Sequence, residues 1–208
     1  RIPVYLMDAN RPENEPHFKD LTLRVYGGDS TTRIMQEILL GVGGVRLIGE
    51  LGLTPSTFHM NEGHAAFLTL ELVREKMAAG LAYEQALAAT RAECIFTTHT
   101  PVEAGHDRFS SDLVSYAAHK FSTRLKISHE QLMGLGRVDP ANTAETCCMT
   151  VLTHRLSRAA NGGSEVHGPV SRALWQALFT GTTVDAVPLG HCTPGSPLTG
   201  WMKGPVHK

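Results

Sequence analysis

Apolar side chains at Ile34, Ile38, Val42, Val45 and Ile48 recur in steps of three and four, which predicts one helix through 31–51 with Gly52 at its end. Similar patterns predict helices over 64–79, 83–93, roughly 111–133, 149–160 and 169–179, the last opened by Pro169. Short apolar runs at 2–7, 56–60, 94–100 and 184–191 read as strands. "NGGSEVHG", 161–168, reads as a turn with a short strand, and "DANRPENEP", 8–16, as a Pro-rich polar loop. Strands alternate with helices from end to end, the pattern of an α/β chain with a mostly parallel sheet covered on both faces. The strands ending near Met7, Met60, Thr98, Val166 and Leu189 are expected in one sheet, with the turns at 61–64 and 97–107 on the same edge.

Sites in such a sheet form where strands run out into loops. Three polar clusters lie there: Asn61, Glu62 and His64; His99, Thr100, Glu103, His106 and Asp107; and Asn161, Ser164, Glu165 and His167. Together they offer donors and acceptors suited to a polyhydroxylated ligand such as a sugar. Each also has a plain structural reading. "NEGH" could be a helix-capping turn, His99 a histidine bonded to backbone, Glu103 and Asp107 solvated loop charges, and His167 a packing residue. "GVGGVRLIG", 41–49, approximates G-x-G-x-x-G, but Arg46 stands at the third glycine and the run lies inside a helical pattern, so it is no dinucleotide fingerprint.

Composition narrows the partners. The 208 residues carry a formal net charge of −1, which gives no electrostatic case for nucleic acid or an anionic membrane surface. No apolar run approaches the ~18 residues of a membrane span. Cys94, Cys147, Cys148 and Cys192 have no zinc-ligand spacing, no metal site is expected, and the chain reads as cytoplasmic. The chain opens on an apolar run without an initiator Met and therefore reads as a piece of a longer protein.

The segments "VYLMDANRPENEP", "LRVYGGDSTTRIMQEILLGVGGVR", "FHMNEGHAAFLTLE", "IFTTHTPVEAGHDRF" and "MTVLTHRLSRAANGGSEVHG" follow one another in that order, and "VPLGHCTPG" comes after them. Together they closely resemble the N-terminal half of the α-glucan (glycogen, starch, maltodextrin) phosphorylases of the shorter bacterial and archaeal type. The resemblance implies a glycosyltransferase-B-like enzyme of two Rossmann-like lobes, of which this chain is one incomplete glucan-binding lobe. Such enzymes cleave the terminal α-1,4 bond with inorganic phosphate and release glucose 1-phosphate with retention of configuration. Their pyridoxal phosphate sits on a lysine of the C-terminal lobe, which this chain lacks, so the chain alone should be inactive. In the family the carbonyl of the residue matching His99 faces the glucosyl unit, which would make His99 catalytic. Thr100, Asp107, Asn61, Glu62 and His64 match positions around that pocket, and Asp29 falls where the family has a gate loop, here short.

The chain departs from the family at "HCTPGSPLTGW", 191–201, where Pro194 replaces an Asn, and in its paired Cys147 and Cys148. Two rivals stand beside the phosphorylase reading: a stand-alone carbohydrate-binding module, and a sugar-nucleotide transferase of the same architecture.

Overall fold

The structure is a computed structural model and describes residues 3–25 and 27–195. Its centre is a four-stranded, wholly parallel sheet of β1 (Phe58–Asn61), β2 (Cys94–Thr98), β5 (Ala159–Gly162) and β6 (Leu189–His191), in the order β1-β2-β5-β6. The remaining pair, β3 (Arg108–Phe109) and β4 (Cys147–Cys148), is antiparallel. The helices are α1 (Pro16–Lys19), α2 (Ser30–Ile38), α3 (Gly44–Glu50), α4 (Phe67–Ala78), α5 (Tyr83–Glu93), α6 (Ser111–Leu125), α7 (His129–Leu135), α8 (Met149–Arg155) and α9 (His167–Trp175). Among the described residues no helix is long and apolar enough to cross a membrane.

The register explains the site. Asn61 pairs with Thr97 and Thr98 with Gly162, so the loops after β1, β2 and β5 leave the same edge. Strand β2 is central and nearly continuous in apolar or threonine side chains because both of its faces are covered. One core of Ile34, Phe67, Leu70, Phe109, Phe121, Met133, Met149 and their neighbours lies among the helices. A second, around Met60, Leu72 and Phe96, seals one sheet face, and a third packs Trp175 against Val187 and Leu189.

The predicted helix over 31–51 is present, with a refinement. Asp29 caps it by accepting from the Thr32 N–H at 2.9 Å. A π-turn, Leu39–Gly43, joins α2 to α3, and Gly52 ends the run at φ 67°. The π-turn lies where the helix crosses α4: a Cβ on Gly41 would come within 2.5 Å of the Leu68 backbone nitrogen.

Several boundaries differ from expectation. Residues 3–7 form no strand. Val4 and Leu6 are solvent-exposed there, since an apolar run becomes a strand only beside a sheet edge that receives it. The stretch predicted as one helix over 111–133 breaks at Lys126, and α7 restarts behind a Ser128 cap. The helix predicted over 149–160 stops at Arg155, because Ala159 and Ala160 are drawn into β5 beside Ile95 and Phe96. The strand expected to end near Val166 therefore ends at Gly162. The last strand is confined to Leu189–His191 behind a 3₁₀ turn at Val184–Ala186. Residues 196–201 of the divergent segment lie outside the described residues.

Gly41→Ala is expected to cost roughly 2 kcal/mol, because the obstructing atoms belong to backbone and cannot rotate away. Thermal unfolding should show a Tm lower by about 5 °C.

Candidate functional site

Three turns meet at the carboxyl edge of the sheet. Leaving β1, Glu62 adopts φ 69° and ψ 171°, a conformation costly for a residue with a Cβ. Its carboxylate offsets that cost by clamping the neighbouring loop. Glu62 Oε1 accepts from the His99 backbone N–H and from Thr100 Oγ1 at 3.1 Å, with Thr98 Oγ1 at 3.5 Å. The clamp holds the loop on either side of the peptide that carries the His99 carbonyl. The carbonyls of Thr97 and Thr98 are taken by the N–H groups of Glu62 and Gly163, each at 2.9 Å. Among the described residues, the His99 carbonyl is the first beyond the ladder that receives no backbone N–H.

The His99 ring lies over the third turn. A Cβ on Gly163 would fall 2.2 Å from His99 Nδ1, so only glycine admits the imidazole. Thr100 stands likewise against Gly105. Arg33, Glu62, His64, His99, Thr100, Pro101, Gly105 and Asp107 line an open cavity of about 490 Å³.

One wall of it is a compact charge cluster. Asp107 Oδ2 accepts from Arg33 Nη2 at 2.7 Å and from His64 Nδ1 at 3.1 Å. Arg33 Nη2 also lies 3.4 Å from Glu37 Oε1. Glu37 is 1% exposed, and its Oε2 has no hydrogen-bond partner among the described residues. Burial pushes the Glu37 carboxyl up to about 8, the His64 contact opposing and the Asp107 charge reinforcing the shift, so it is protonated at neutral pH. Hydrogen bonds from His64 toward Asp107 and Glu37 raise the imidazole to about 9, against its desolvation. Burial works against ionisation of Asp107, but contacts with His64, Glu37 and Arg33 outweigh it and hold the carboxyl well below the ordinary range. Glu37, His64 and Asp107 could converge on a cation, but the Arg33 guanidinium already supplies positive charge at that point. None of the residues lining the cavity is a lysine, so this wall offers no amine to anchor pyridoxal phosphate.

Glu62, His64, His99, Thr100 and Asp107 are thus brought together as their positions predict, whereas Asn61 ends β1 exposed and outside the cavity lining. Glu103 is a surface charge paired with Arg108 at 2.8 Å. His167 is a packing residue, buried with its Nε2 3.1 Å from Ser171 Oγ. Asn161 accepts from Thr97 Oγ1, and Ser164 Oγ accepts from the His167 N–H at the start of α9. His106 is more than a loop residue: it is buried, bonds Thr150 Oγ1 at 2.8 Å and meets Trp175 edge-on at 4.8 Å. Arg33 and Glu37 escaped the sequence reading. The available signal was a carboxylate at 37 between Ile34 and Ile38, on the apolar stripe of α2.

No family model matches the chain. It is 41% identical over 213 aligned residues to a glycogen phosphorylase of Mycobacterium tuberculosis, covering 97% of the chain and 24% of the relative. It is 36% identical to a maltodextrin phosphorylase of Thermococcus litoralis over all of its length and 24% of that protein. A glycogen phosphorylase of Aquifex aeolicus is 29% identical over 86% of the chain. The chain therefore spans about a quarter of the length of the first two relatives, a smaller share than the half its resemblance implies.

Glu37→Gln tests the cluster. Below its ordinary pKa of 4.5 Glu37 is protonated folded and unfolded; between there and about 8 only the folded state keeps the proton. Wild-type stability is therefore lost with rising pH across that window. The neutral isostere should gain stability relative to wild type from pH 4.5 to 8 and then level off, as read from Tm against pH. Parallel curves would show that Glu37 is ionised in the folded protein.

Proposed function

We propose, on the premise of homology with the glycogen and maltodextrin phosphorylases, that this chain forms the sugar-facing wall of an α-1,4-glucan phosphorylase. The intact protein would use inorganic phosphate to release glucose 1-phosphate from glycogen, starch or maltodextrin. Pyridoxal phosphate supplies acid–base chemistry through its phosphate group when bound; its anchoring lysine belongs to a C-terminal lobe of the glycosyltransferase-B-like enzyme, outside this chain. The four free cysteines fit a reducing, cytoplasmic setting.

The observation that carries this reading is the Glu62 clamp on the loop of His99, a residue that lines the cavity. Bond cleavage at an anomeric carbon develops positive charge, and a carbonyl dipole held in place beforehand favours that charge at no cost of reorganisation. Glu62 holds the loop on both sides of the peptide that carries the His99 carbonyl, and Gly163 admits the ring of the same residue. Arg33, His64, Thr100 and Asp107 then present donors and acceptors for sugar hydroxyls.

The intact protein is expected to form glucose 1-phosphate from maltodextrin and phosphate, and this chain alone, even with pyridoxal phosphate, to form none. Transfer from a nucleotide sugar in place of phosphorolysis would refute the assignment. Within an active enzyme, Glu62→Ala should lower kcat by roughly 10–100-fold, the loss of charge-assisted bonds worth about 1.5–3 kcal/mol. His99→Ala should likewise act on kcat more than on KM for the glucan, since the affected interaction strengthens in the transition state. A change in KM alone for either variant would reduce the loop to a passive wall.

A further inference from the structure

His106 and Asp107 are neighbours in the loop after β2 that engage different partners. Asp107 reaches Arg33 and His64 in the charge cluster. His106 enters a slot between α8 and α9, where its Nδ1 lies 2.8 Å from Thr150 Oγ1 and its ring meets Trp175 edge-on at 4.8 Å. His154, one turn beyond Thr150 on the same face of α8, packs edge-on against Phe96 of β2 at 5.0 Å. No residue from 99 to 105 is buried, so His106 is the point at which the loop re-enters the protein.

The hydroxyl that meets His106 also meets the turn after β1. A Cβ on Gly63 would fall 3.0 Å from Thr150 Oγ1 and 3.1 Å from the Thr150 backbone nitrogen, so the Glu62–His64 turn rests on this residue. The Met149 N–H donates to the Asp107 carbonyl at 3.0 Å, which ties the same end of the loop to the start of α8. At Gly105 a Cβ would fall 2.6 Å from Thr100 Cγ2, so the end of the loop is folded onto its start. Burial lowers the His106 imidazole from its ordinary value, with Arg108 assisting and Glu62, Asp107 and the Thr100 backbone opposing. The ring is therefore neutral at neutral pH and meets the Thr150 hydroxyl without leaving a buried charge.

We infer that His106 is a positioning residue for the reaction proposed above: through Thr150 it sets the 99–107 loop against the Glu62–His64 turn. The Glu62 clamp holds the start of that loop, and His106 holds its end. His106 is not among the residues lining the cavity, so it acts on His99 and Thr100 only through the loop. A displacement of about 1 Å at a reacting centre can cost on the order of 100-fold in rate, which gives a remote anchor its leverage. The link to catalysis rests on the phosphorylase reading; the hold of His106 on the loop does not.

The intact protein carrying His106→Ala, His106→Asn or Thr150→Val is assayed for phosphorolysis of maltodextrin, and amide hydrogen exchange is followed over residues 99–105. His106→Ala and Thr150→Val should each lower kcat about tenfold while KM for the glucan changes less than about twofold. Exchange in the loop should quicken about tenfold in both. His106→Asn, whose amide keeps a polar atom within reach of Thr150 Oγ1, should recover part of both losses. The Ala and Val changes together should cost little more than His106→Ala alone, since both remove one interaction. A change in KM alone, wild-type kcat and exchange in the Ala and Val variants, or an Asn variant no better than Ala would overturn the inference. If His106→Ala does not fold, Thr150→Val, which keeps the volume, decides by the same two readouts. Absence of phosphorolysis in the wild type would refute the phosphorylase reading, and loop exchange would then decide whether His106 holds the loop.

Discussion

A single carboxylate holds the site together. Asp107 draws Arg33 from α2 and His64 from the turn after β1 onto the loop that follows β2. Three segments far apart in sequence are fixed by one oxygen atom. Partly buried charges incur a desolvation cost that is repaid only when the partners are well placed, so loss of any one member leaves the others stranded. Glu37 completes the arrangement from beneath as a neutral acid, which avoids a second buried negative charge beside Asp107. Because Arg33 and Glu37 sit four residues apart on one helix face, the direction of α2 is coupled to the geometry of the cavity.

That coupling extends beyond the edge of the sheet. The run from α2 through the π-turn to α3 begins at the cluster. Helix α4 runs from the Glu62 turn, and α6 from behind the Asp107 loop. Three helical runs, α2–α3, α4 and α6, thus pack against one another as they leave the site. A one-residue register change in any of them would rotate its side chains by about 100° and disturb the others. The contact of Gly41 with the α4 backbone pins two of these helices where they cross.

The parallel order and the meeting of the turns were legible because period and alternation report directly on which faces are buried. The sequence blocks around His64, His99 and Asp107 were enough to suggest the pocket. Arg33 and Glu37 were not legible: a charged residue on a helix usually reads as solvent-facing, and only its tertiary partner shows otherwise. The apolar run at 3–7 misled for the complementary reason, since strand propensity depends on a neighbouring strand that local pattern does not reveal. Arg46 was legible only as the residue that spoils a glycine motif, and its packing on Glu71 gives it a positive meaning.

The same buried groups bound the pH range in which the loop keeps its shape. His106 and His154, packed around Trp175, are held neutral by burial, His154 down to about 3. A base with a depressed pKa loses stability for the fold as pH falls below its ordinary 6.5. Glu37 acts in the opposite direction, costing stability as pH rises from 4.5 to about 8. Between 4.5 and 6.5 the slopes oppose each other, the two histidines against Glu37. Above 6.5 His64 adds to Glu37, since the stability from its raised pKa is lost as pH climbs through about 9. Below about 3.8, the ordinary value for its carboxyl, Asp107 adds a further loss, because the unfolded chain takes up a proton that the contacts with Arg33 and His64 keep off in the fold. The carboxyl edge is therefore tightest in mildly acidic to neutral conditions. Its two flanks are set by different residues: the aromatic box behind the loop together with Asp107 on the acid side, and Glu37 and His64 on the alkaline side.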